Sequence, residues 1–319
     1  MLKQVQHDKW MVSVFNKKIL KFTAKLLISA FFIGLLIVKV DWKESWQYLQ
    51  KIEAWQIVVY LAVIFLSLFI SAKKWQELCL CKGLHDSFFN FFKLFLTGSF
   101  INNFVPSTIG GDIFRAYQVG KKEKRYSEST AAVVMDRFTG LLALMIMSPI
   151  FFLLNFSRAS GVYLLTISNL IILGAMVILI VFWKTRKTAW VKKLTGYFPQ
   201  KVADFLHELT GFGSDWKVFV RAMVYSFLFN LIGVGLANLI LFWSLGININ
   251  LLDYFSAIFL ISIVASIPAG VGLKEWAYIA FFAPLGISIP GAVMVAILNR
   301  FLHGLVNLVA LPIYLKSKK

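Results

Sequence analysis

Six apolar runs, each long enough to cross a lipid bilayer, constrain this chain more than any other feature of its sequence. They cover roughly residues 20–40, 55–72, 129–155, 161–183, 219–245 and 290–315. The hydrocarbon core holds no water to satisfy backbone N–H and C=O groups, so segments of this length cross it as α-helices. The chain is also 59% hydrophobic, which exceeds the apolar content of soluble domains. We therefore predict an all-α polytopic integral membrane protein with a single transmembrane domain over residues 1–319.

The formal net charge of +18 has two common explanations, nucleic-acid binding and contact with anionic membrane surfaces. No basic segment interleaved with aromatic residues stands apart from the apolar runs, so we do not expect nucleic acid as a partner. We assign the charge to loops on the cytoplasmic side and to contact with anionic lipid headgroups.

Two further stretches, 88–120 and 254–286, are apolar at both ends and broken at their centres. The first break contains Pro106 and the second contains Pro268, and glycines follow both. Proline removes a backbone donor and glycine weakens a helix, so both breaks should interrupt helices. Irregular backbone at membrane depth is tolerated only where protein buries it or where it lines a cavity. One such break in each half indicates a transporter-like substrate site.

The distribution of basic residues predicts how the first stretch enters the membrane. Lys73, Lys74 and Lys82 precede it, and the basic run 121–125 follows it. Positive charge marks cytoplasmic loops, so both ends belong on the cytoplasmic side. We therefore predict that 88–120 is a re-entrant helical hairpin.

The same rule applied to the second half predicts the opposite entry. The segment 184–218 and the C-terminus are basic and are expected in the cytoplasm, as is the N-terminus. The second stretch, 254–286, then enters and leaves from outside. Two oppositely oriented re-entrant hairpins are typical of an inverted repeat, here with halves of about 20–155 and 161–315. We interpret 184–218 as a cytoplasmic amphipathic connector.

Polar and ionisable residues near the two breaks and within the apolar runs mark the candidate site, because a charge at the bilayer centre costs about 2.5–3.5 kcal/mol on insertion scales. The predicted substrate-binding residues are Gly110, Gly111, Asp112, Arg115, Asp136, Arg137, Lys274, Glu275, Arg300 and His303. Four of these are basic and three are acidic, which leaves a net charge of +1 with His303 neutral. An anionic group such as a phosphate would balance it, and arginine suits phosphate through its planar fork.

Several of these residues also have purely structural explanations. Asp112 and Arg115 are three positions apart and could form a local ion pair that fixes the hairpin. Arg137 could anchor at the inner headgroups. Glu275 is expected to pair with either Arg300 or Arg115 on another helix.

Motifs of soluble catalysis are absent from the sequence. It contains no G-x-S-x-G, no H-E-x-x-H and no P-loop, and its four histidines are scattered. We therefore predict no catalytic residue, no metal site and no cofactor. The acid–base pairing that an intramembrane enzyme would need is available only between Asp112 and His303.

Three motifs resemble one known family. The segment 104–117, FVPSTIGGDIFRAY, resembles the signature of the lysylphosphatidylglycerol synthase membrane-region family. The segments 135–140, MDRFTG, and 267–275, IPAGVGLKE, resemble its next and late conserved blocks. In the late block this chain has Lys274 where an arginine beside the glutamate is expected in many relatives.

The resemblance implies a lipid flippase-like unit. The chain ends soon after its last span, so we expect a stand-alone member that lacks the soluble aminoacyl transferase domain, and the synthase activity is not carried over. The predicted function is movement of an anionic phospholipid or a polyprenyl-phosphate-linked lipid across the cell membrane. Alternatives are an intramembrane lipid-modifying enzyme, a non-transporting partner of a biosynthetic enzyme, and a small-solute transporter. A homo-oligomer is also compatible with the sequence. Replacing Arg115 or Arg300 by alanine is expected to abolish transport and leave the fold intact.

Overall fold

A computed structural model describes residues 34–104, 109–185, 215–267 and 272–317, and these residues form helices and turns without a strand. The helices of the first half are α1 Trp42–Leu49, α2 Ala54–Cys81, α3 Phe88–Phe104, α4 Gly110–Glu123, α5 Tyr126–Leu154, α6 Phe156–Ala159 and α7 Tyr163–Thr185. Those of the second half are α8 Trp216–Ser244, α9 Leu251–Ala265, α10 Leu273–Phe282, α11 Ile289–Leu308 and α12 Leu311–Ser317.

Five helices in the described part of the chain are long and apolar enough to cross a membrane, namely α2, α5, α7, α8 and α11. They coincide with five of the six predicted spans, and the prediction of an all-α membrane protein is confirmed. The predicted span 20–40 and the connector 184–218 lie largely outside the described residues. The full number of spans and the re-entrant insertion stay predictions.

Helix α2 continues to Cys81, past the predicted end of its span at residue 72. The prediction stopped where Lys73 and Lys74 interrupt the apolar run. Lys74, Trp75 and Cys79 are nevertheless buried, because the last turns of the helix pack inside the bundle. Lys74, which the sequence placed in a loop, is therefore part of the interior.

Helices α3 and α4 form an antiparallel hairpin whose backbones touch near its closed end. A Cβ atom added to Gly111 would lie 1.8 Å from the carbonyl oxygen of Gly98, so only glycine permits this approach. The Gly111 N–H also donates to Oδ1 of Asn102 at 2.8 Å. The segment 105–108, which contains Pro106, lies outside the described residues.

At the open end of this hairpin, the start of α3 and the end of α4 lie close together. Lys122 Nζ lies 3.2 Å from Oδ2 of Asp86, and the His85 N–H donates to Oε1 of Glu123 at 3.1 Å. The chain therefore enters and leaves the hairpin at the same end, and the re-entrant insertion of 88–120 into the membrane stays a prediction.

Helices α9 and α10 form the second hairpin. The rings of Tyr254 and Phe282 stack with centroids 6.1 Å apart, and Phe242 of α8 packs edge-on against both. Helix α10 begins after Gly272, whose φ of 106° is in a region that other residues rarely adopt. Residues 268–271 between the two helices are outside the described ranges.

A π-helical segment, Asn230–Leu236, interrupts α8. Such single π segments insert an extra residue into a helix and are frequent at functional sites. Gly233 within it is in close contact with Ser67 of α2, since a Cβ at Gly233 would lie 2.7 Å from the serine side chain. The segment places Asn230 beside the cavity described next.

Candidate functional site

A cavity of about 600 Å³ lies among α2, α3, α4, α5, α8 and α11. Its charged and titratable lining consists of Lys74, Asp112, Arg115, Asp136, Arg137 and His303. The first five of these are in mutual contact, and we call them the Asp112 cluster. The cavity therefore places five charges between helices that are otherwise apolar, and charges at such depth mark functional sites by default.

Arg115 is the centre of the Asp112 cluster and is only 2% exposed. Its Nη2 lies 2.8 Å from Oδ1 of Asp112 and 3.2 Å from Oδ2 of Asp136. The guanidinium carbon also lies 4.8 Å and 4.6 Å from the ring centroids of Trp75 and Phe95. Both carboxylates and two aromatic faces thus enclose Arg115, which suits a structural cation.

Lys74 of α2 supplies a second buried cation. Its Nζ lies 2.9 Å from Oδ1 of Asp136 and donates to the backbone oxygen of Asp136 at 2.9 Å. It also donates to Oγ of Ser226 on α8 at 3.1 Å. Lys74 therefore links α2, α5 and α8 at the wall of the cavity.

Arg137 is the cation of the Asp112 cluster that protein covers least. Its Nε and Nη2 donate to Oδ2 and Oδ1 of Asp112, both at 2.9 Å, in a two-pronged pair. The side chain is nevertheless 59% exposed. A guanidinium that holds one carboxylate through two donors and belongs to an exposed side chain can bind a second anion or exchange the first for another.

The local sequence explains why Asp112 and Arg115 meet. Asp112 lies in the first turn of α4, where the helix dipole favours a negative charge. Arg115 follows three residues later and shares the same face. Its stem passes over Gly98, where a Cβ would lie 2.8 Å from Cγ of Arg115. The glycine of α3 therefore makes room for the arginine of α4.

The Asp112 cluster has three basic and two acidic groups, and its net charge is +1. Interior groups interact in a medium of lower dielectric constant than water, so an excess cation there attracts a compensating anion strongly. Asn102, Asn103 and Asn230 also line the cavity and offer amide donors. The arrangement is suited to a group that carries negative charge and several acceptor oxygens.

Lys274, Glu275 and Arg300 form a separate group that does not line this cavity. The Arg300 Nε lies 2.8 Å from Oε1 of Glu275, so the structure selects Arg300 rather than Arg115 as the partner of Glu275. Lys274 Nζ donates to Oδ1 of Asn299. Asn299 in turn donates to the hydroxyl of Tyr60 on α2 at 3.0 Å. We call Lys274, Glu275, Asn299 and Arg300 the Glu275 cluster.

The predicted site residues thus divide into three sets. Asp112, Arg115, Asp136 and Arg137 meet in one cluster, and His303 joins them as a wall of the cavity. Gly110 and Gly111 are not in that wall but begin the helix that carries Asp112. The remaining three belong to the Glu275 cluster. The structure therefore brings together about half of the predicted set and places the rest at a second position.

Lys74 was not among the predicted site residues, because its position at the end of an apolar run was interpreted as the start of a cytoplasmic loop. A signal was present, because Ser67, Ser71 and Lys74 follow each other at spacings of four and three and so share one helix face. Within the described residues, no group of three His, Cys, Asp or Glu side chains could hold a metal ion.

Membrane-crossing helices around a buried cavity of mixed charge define a multi-pass, all-α membrane protein. The family model of the lysylphosphatidylglycerol synthase TM region matches residues 22–310. The chain belongs to this family, and the resemblance that its three motifs indicated is confirmed.

Two relatives extend along most of the chain. A UPF0104 membrane protein of Methanocaldococcus jannaschii is 27% identical over 310 residues, which cover 89% of this chain and 90% of the relative. A UPF0104 membrane protein of Methanothermobacter thermautotrophicus is 24% identical over 291 residues, which cover 82% and 85%. No solved structure matches the chain.

Proposed function

We propose that this protein moves anionic lipids across its membrane and holds the lipid headgroup in the cavity of the Asp112 cluster. The observation that carries the proposal is the position of Arg137, which lines the cavity with a side chain that is 59% exposed and donates two hydrogen bonds to Asp112. The family supports a role connected with membrane lipids. The cargo that fits is an anionic phospholipid or a polyprenyl-phosphate-linked lipid.

The apolar part of the cavity wall suits the lipid tail. Ile109 and Leu141 line the cavity, and both are exposed. A headgroup bound at Arg137 would then have an apolar route beside it, and the acyl chains could stay in the bilayer. This avoids the cost of drawing long apolar chains through a charged interior.

Two re-entrant hairpins that approach from opposite faces would expose the headgroup to each side in turn. The closed ends of both hairpins approach the cavity, since Asn103 of α3 and Ser266 after α9 line it together. This arrangement supports alternating access about a binding site between the two halves.

An intramembrane enzyme is the main alternative, and the contacts of Asp112 argue against it. Both of its carboxylate oxygens accept hydrogen bonds from Arg137, and Arg115 adds a further one. A carboxylate held in this way is poorly placed to exchange protons with a substrate or with His303. Product formation by the purified protein in a lipid-only assay would favour the enzyme.

The proposal is tested by reconstituting the protein in vesicles with fluorescent phosphatidylglycerol, cardiolipin or a polyprenyl phosphate and following headgroup accessibility to a membrane-impermeant quencher. We expect accelerated movement of at least one anionic lipid and none of phosphatidylcholine. Arg137→Gln should abolish the acceleration. Arg158→Gln is the matched control, because Arg158 pairs with Asp253 outside the cavity. No acceleration for any of the anionic lipids would contradict the proposal.

A further inference from the structure

The helices of the two halves correspond at a constant difference of 163 in residue number. Helices α3, α4 and α5 begin at residues 88, 110 and 126, and α9, α10 and α11 begin at 251, 273 and 289. Helix α2 ends at Cys81 and α8 at Ser244, which again differ by 163, whereas their starts, Ala54 and Trp216, differ by 162. Three helix starts and one helix end in each half therefore keep one register.

Residues that are 163 positions apart are similar in type where equivalent helices carry charged side chains. Asp136-Arg137-Phe138 of α5 corresponds to Asn299-Arg300-Phe301 of α11. Further along, Pro149-Ile150 corresponds to Pro312-Ile313. Asp112 corresponds to Glu275, so both halves place a carboxylate in the first turn of the second hairpin helix.

The two halves run in opposite directions. Lys74 near the end of α2 donates to Ser226 near the start of α8. Ser67, earlier in α2, packs against Gly233, which is later in α8. Equivalent helices are thus antiparallel to each other, as an inverted repeat requires.

Each half contains an acid–arginine pair. Arg137 donates to Asp112 through both Nε and Nη2, whereas Arg300 donates to Glu275 through Nη2. Arg137 Nε lies 2.9 Å from Oδ2 of Asp112, and Arg300 Nε lies 2.8 Å from Oε1 of Glu275. The partners are 25 positions apart in both pairs. In both, the carboxylate is buried while the arginine stays open, with side-chain exposures of 59% and 39%.

The cavity lies between the halves at equivalent positions of both. Asn103 and Ser266 differ by the same 163, and both line it. Gly140 and His303 also differ by 163, and both line it. Of the two acid–arginine pairs, however, only Asp112–Arg137 borders the cavity in this structure.

We propose that Arg300, held by Glu275, is a second binding site for the phosphate of an anionic lipid, equivalent to Arg137 held by Asp112 and reached from the opposite face of the membrane. The inference rests on the proposed function and adds a second site on the lipid's route. At each site the phosphate binds the guanidinium donors that the carboxylate does not use, because guanidinium binds phosphate as well as carboxylate. Lys274 adds positive charge beside the second site, and its ammonium contacts no carboxylate within 4 Å in the described part of the chain.

The two sites can be probed separately through their exposed neighbours Phe138 and Phe301. Cys79 and Cys81, the two native cysteines, are first replaced by serine. Phe138→Cys and Phe301→Cys variants are then labelled with a maleimide in vesicles of phosphatidylcholine with or without phosphatidylglycerol. We expect phosphatidylglycerol to slow labelling at both positions.

Combining these probes with arginine variants makes the test reciprocal. Arg300→Gln should weaken phosphatidylglycerol protection at Phe301→Cys by at least about tenfold, the factor expected from losing one charge-assisted hydrogen bond, and should leave Phe138→Cys protected. Arg137→Gln should do the reverse. Arg137→Lys and Arg300→Lys keep the charge and lose the fork, so each should weaken protection only at its own probe. Arg158→Gln should change neither.

The outcomes separate the second site from the proposed function. Protection at Phe138→Cys alone, with Arg300→Gln behaving as the parent, overturns the second site and leaves lipid binding in place. Protection at neither probe overturns lipid binding itself. Equal protection by inorganic phosphate without anionic lipid upholds two phosphate sites and overturns the lipid as their ligand.

Discussion

Arg137 donates to both carboxylate oxygens of Asp112 at 2.9 Å, and its side chain is 59% exposed. Asp112 is bound at the same time by Arg115, which is buried. One carboxylate thus joins a structural arginine to an accessible one. The roles of the two arginines should therefore separate in experiment.

Replacing Arg115 by methionine should destabilise the fold rather than stop transport alone. The change leaves Asp112 and Asp136 without their shared partner, and breaking a buried ion pair costs about 3–5 kcal/mol. This revises the expectation from sequence that Arg115→Ala spares the fold. We expect a clear loss of thermal stability in detergent, and Arg137→Met, at the exposed arginine, should melt close to the parent. Equal melting temperatures for the parent and Arg115→Met would contradict the assignment.

Lys74 and Asp136 should behave as one unit in a double-mutant cycle. Lys74→Met removes the ammonium that contacts Oδ1 of Asp136 at 2.9 Å, so the carboxylate loses one of its two cations. The double variant Lys74→Met/Asp136→Leu should lose less stability than the two single variants together, because neither side chain is then left as an unpaired buried charge. The measurement is the thermal stability of the two single variants and the double variant. Strictly additive losses would show that the two side chains are independent.

Gly111→Ala should displace the first hairpin. The added methyl would lie 1.8 Å from the Gly98 carbonyl oxygen, and backbone atoms on both sides cannot give way without separating α3 from α4. We expect a marked fall in melting temperature. Gly174→Ala is the control, since nothing lies within 4 Å of its added Cβ, and it should be neutral or slightly stabilising in a helix. A neutral Gly111→Ala variant would mean that the hairpin is packed differently.

Labelling from the two sides of the membrane tests the re-entrant insertion of 88–120. Cysteines introduced at Lys73 and Lys121, which flank the hairpin, should react with an impermeant reagent from the same side. The open end of the hairpin, where Asp86 meets Lys122, gives the physical reason. Reaction from opposite sides would require 88–120 to cross the membrane and would remove the basis of the inverted arrangement.

The helical architecture could be predicted because run length and composition alone decide what can cross a bilayer. Two basic clusters predicted that 88–120 enters and leaves the membrane from one side, and this stays a prediction. The contacts of Asp86 and His85 show that the two ends of the hairpin meet. The register of the repeat was not visible in advance, because most equivalent positions differ in residue type. The helix starts in the structure define the register, and in that register Arg137 and Arg300 are equivalent.

Which charged residues pair with one another was harder to predict than which of them belong to the candidate site. Periodicity relates residues on one helix, so it identified Asp112 with Arg115. It could not choose between Arg300 and Arg115 for Glu275, since that choice depends on how α10 packs against α11. Lys74 was missed because a lysine at the end of an apolar run looks like a boundary until a buried carboxylate from another helix is seen beside it.

The lipid that stays bound to the purified protein tests the central claim most directly. Native mass spectrometry of the protein released from mild detergent should show the parent carrying an anionic lipid, and Arg137→Gln should lose it while Arg158→Gln keeps it. Retention of a zwitterionic lipid by the parent, or equal retention of the anionic lipid by parent and Arg137→Gln, would contradict the account.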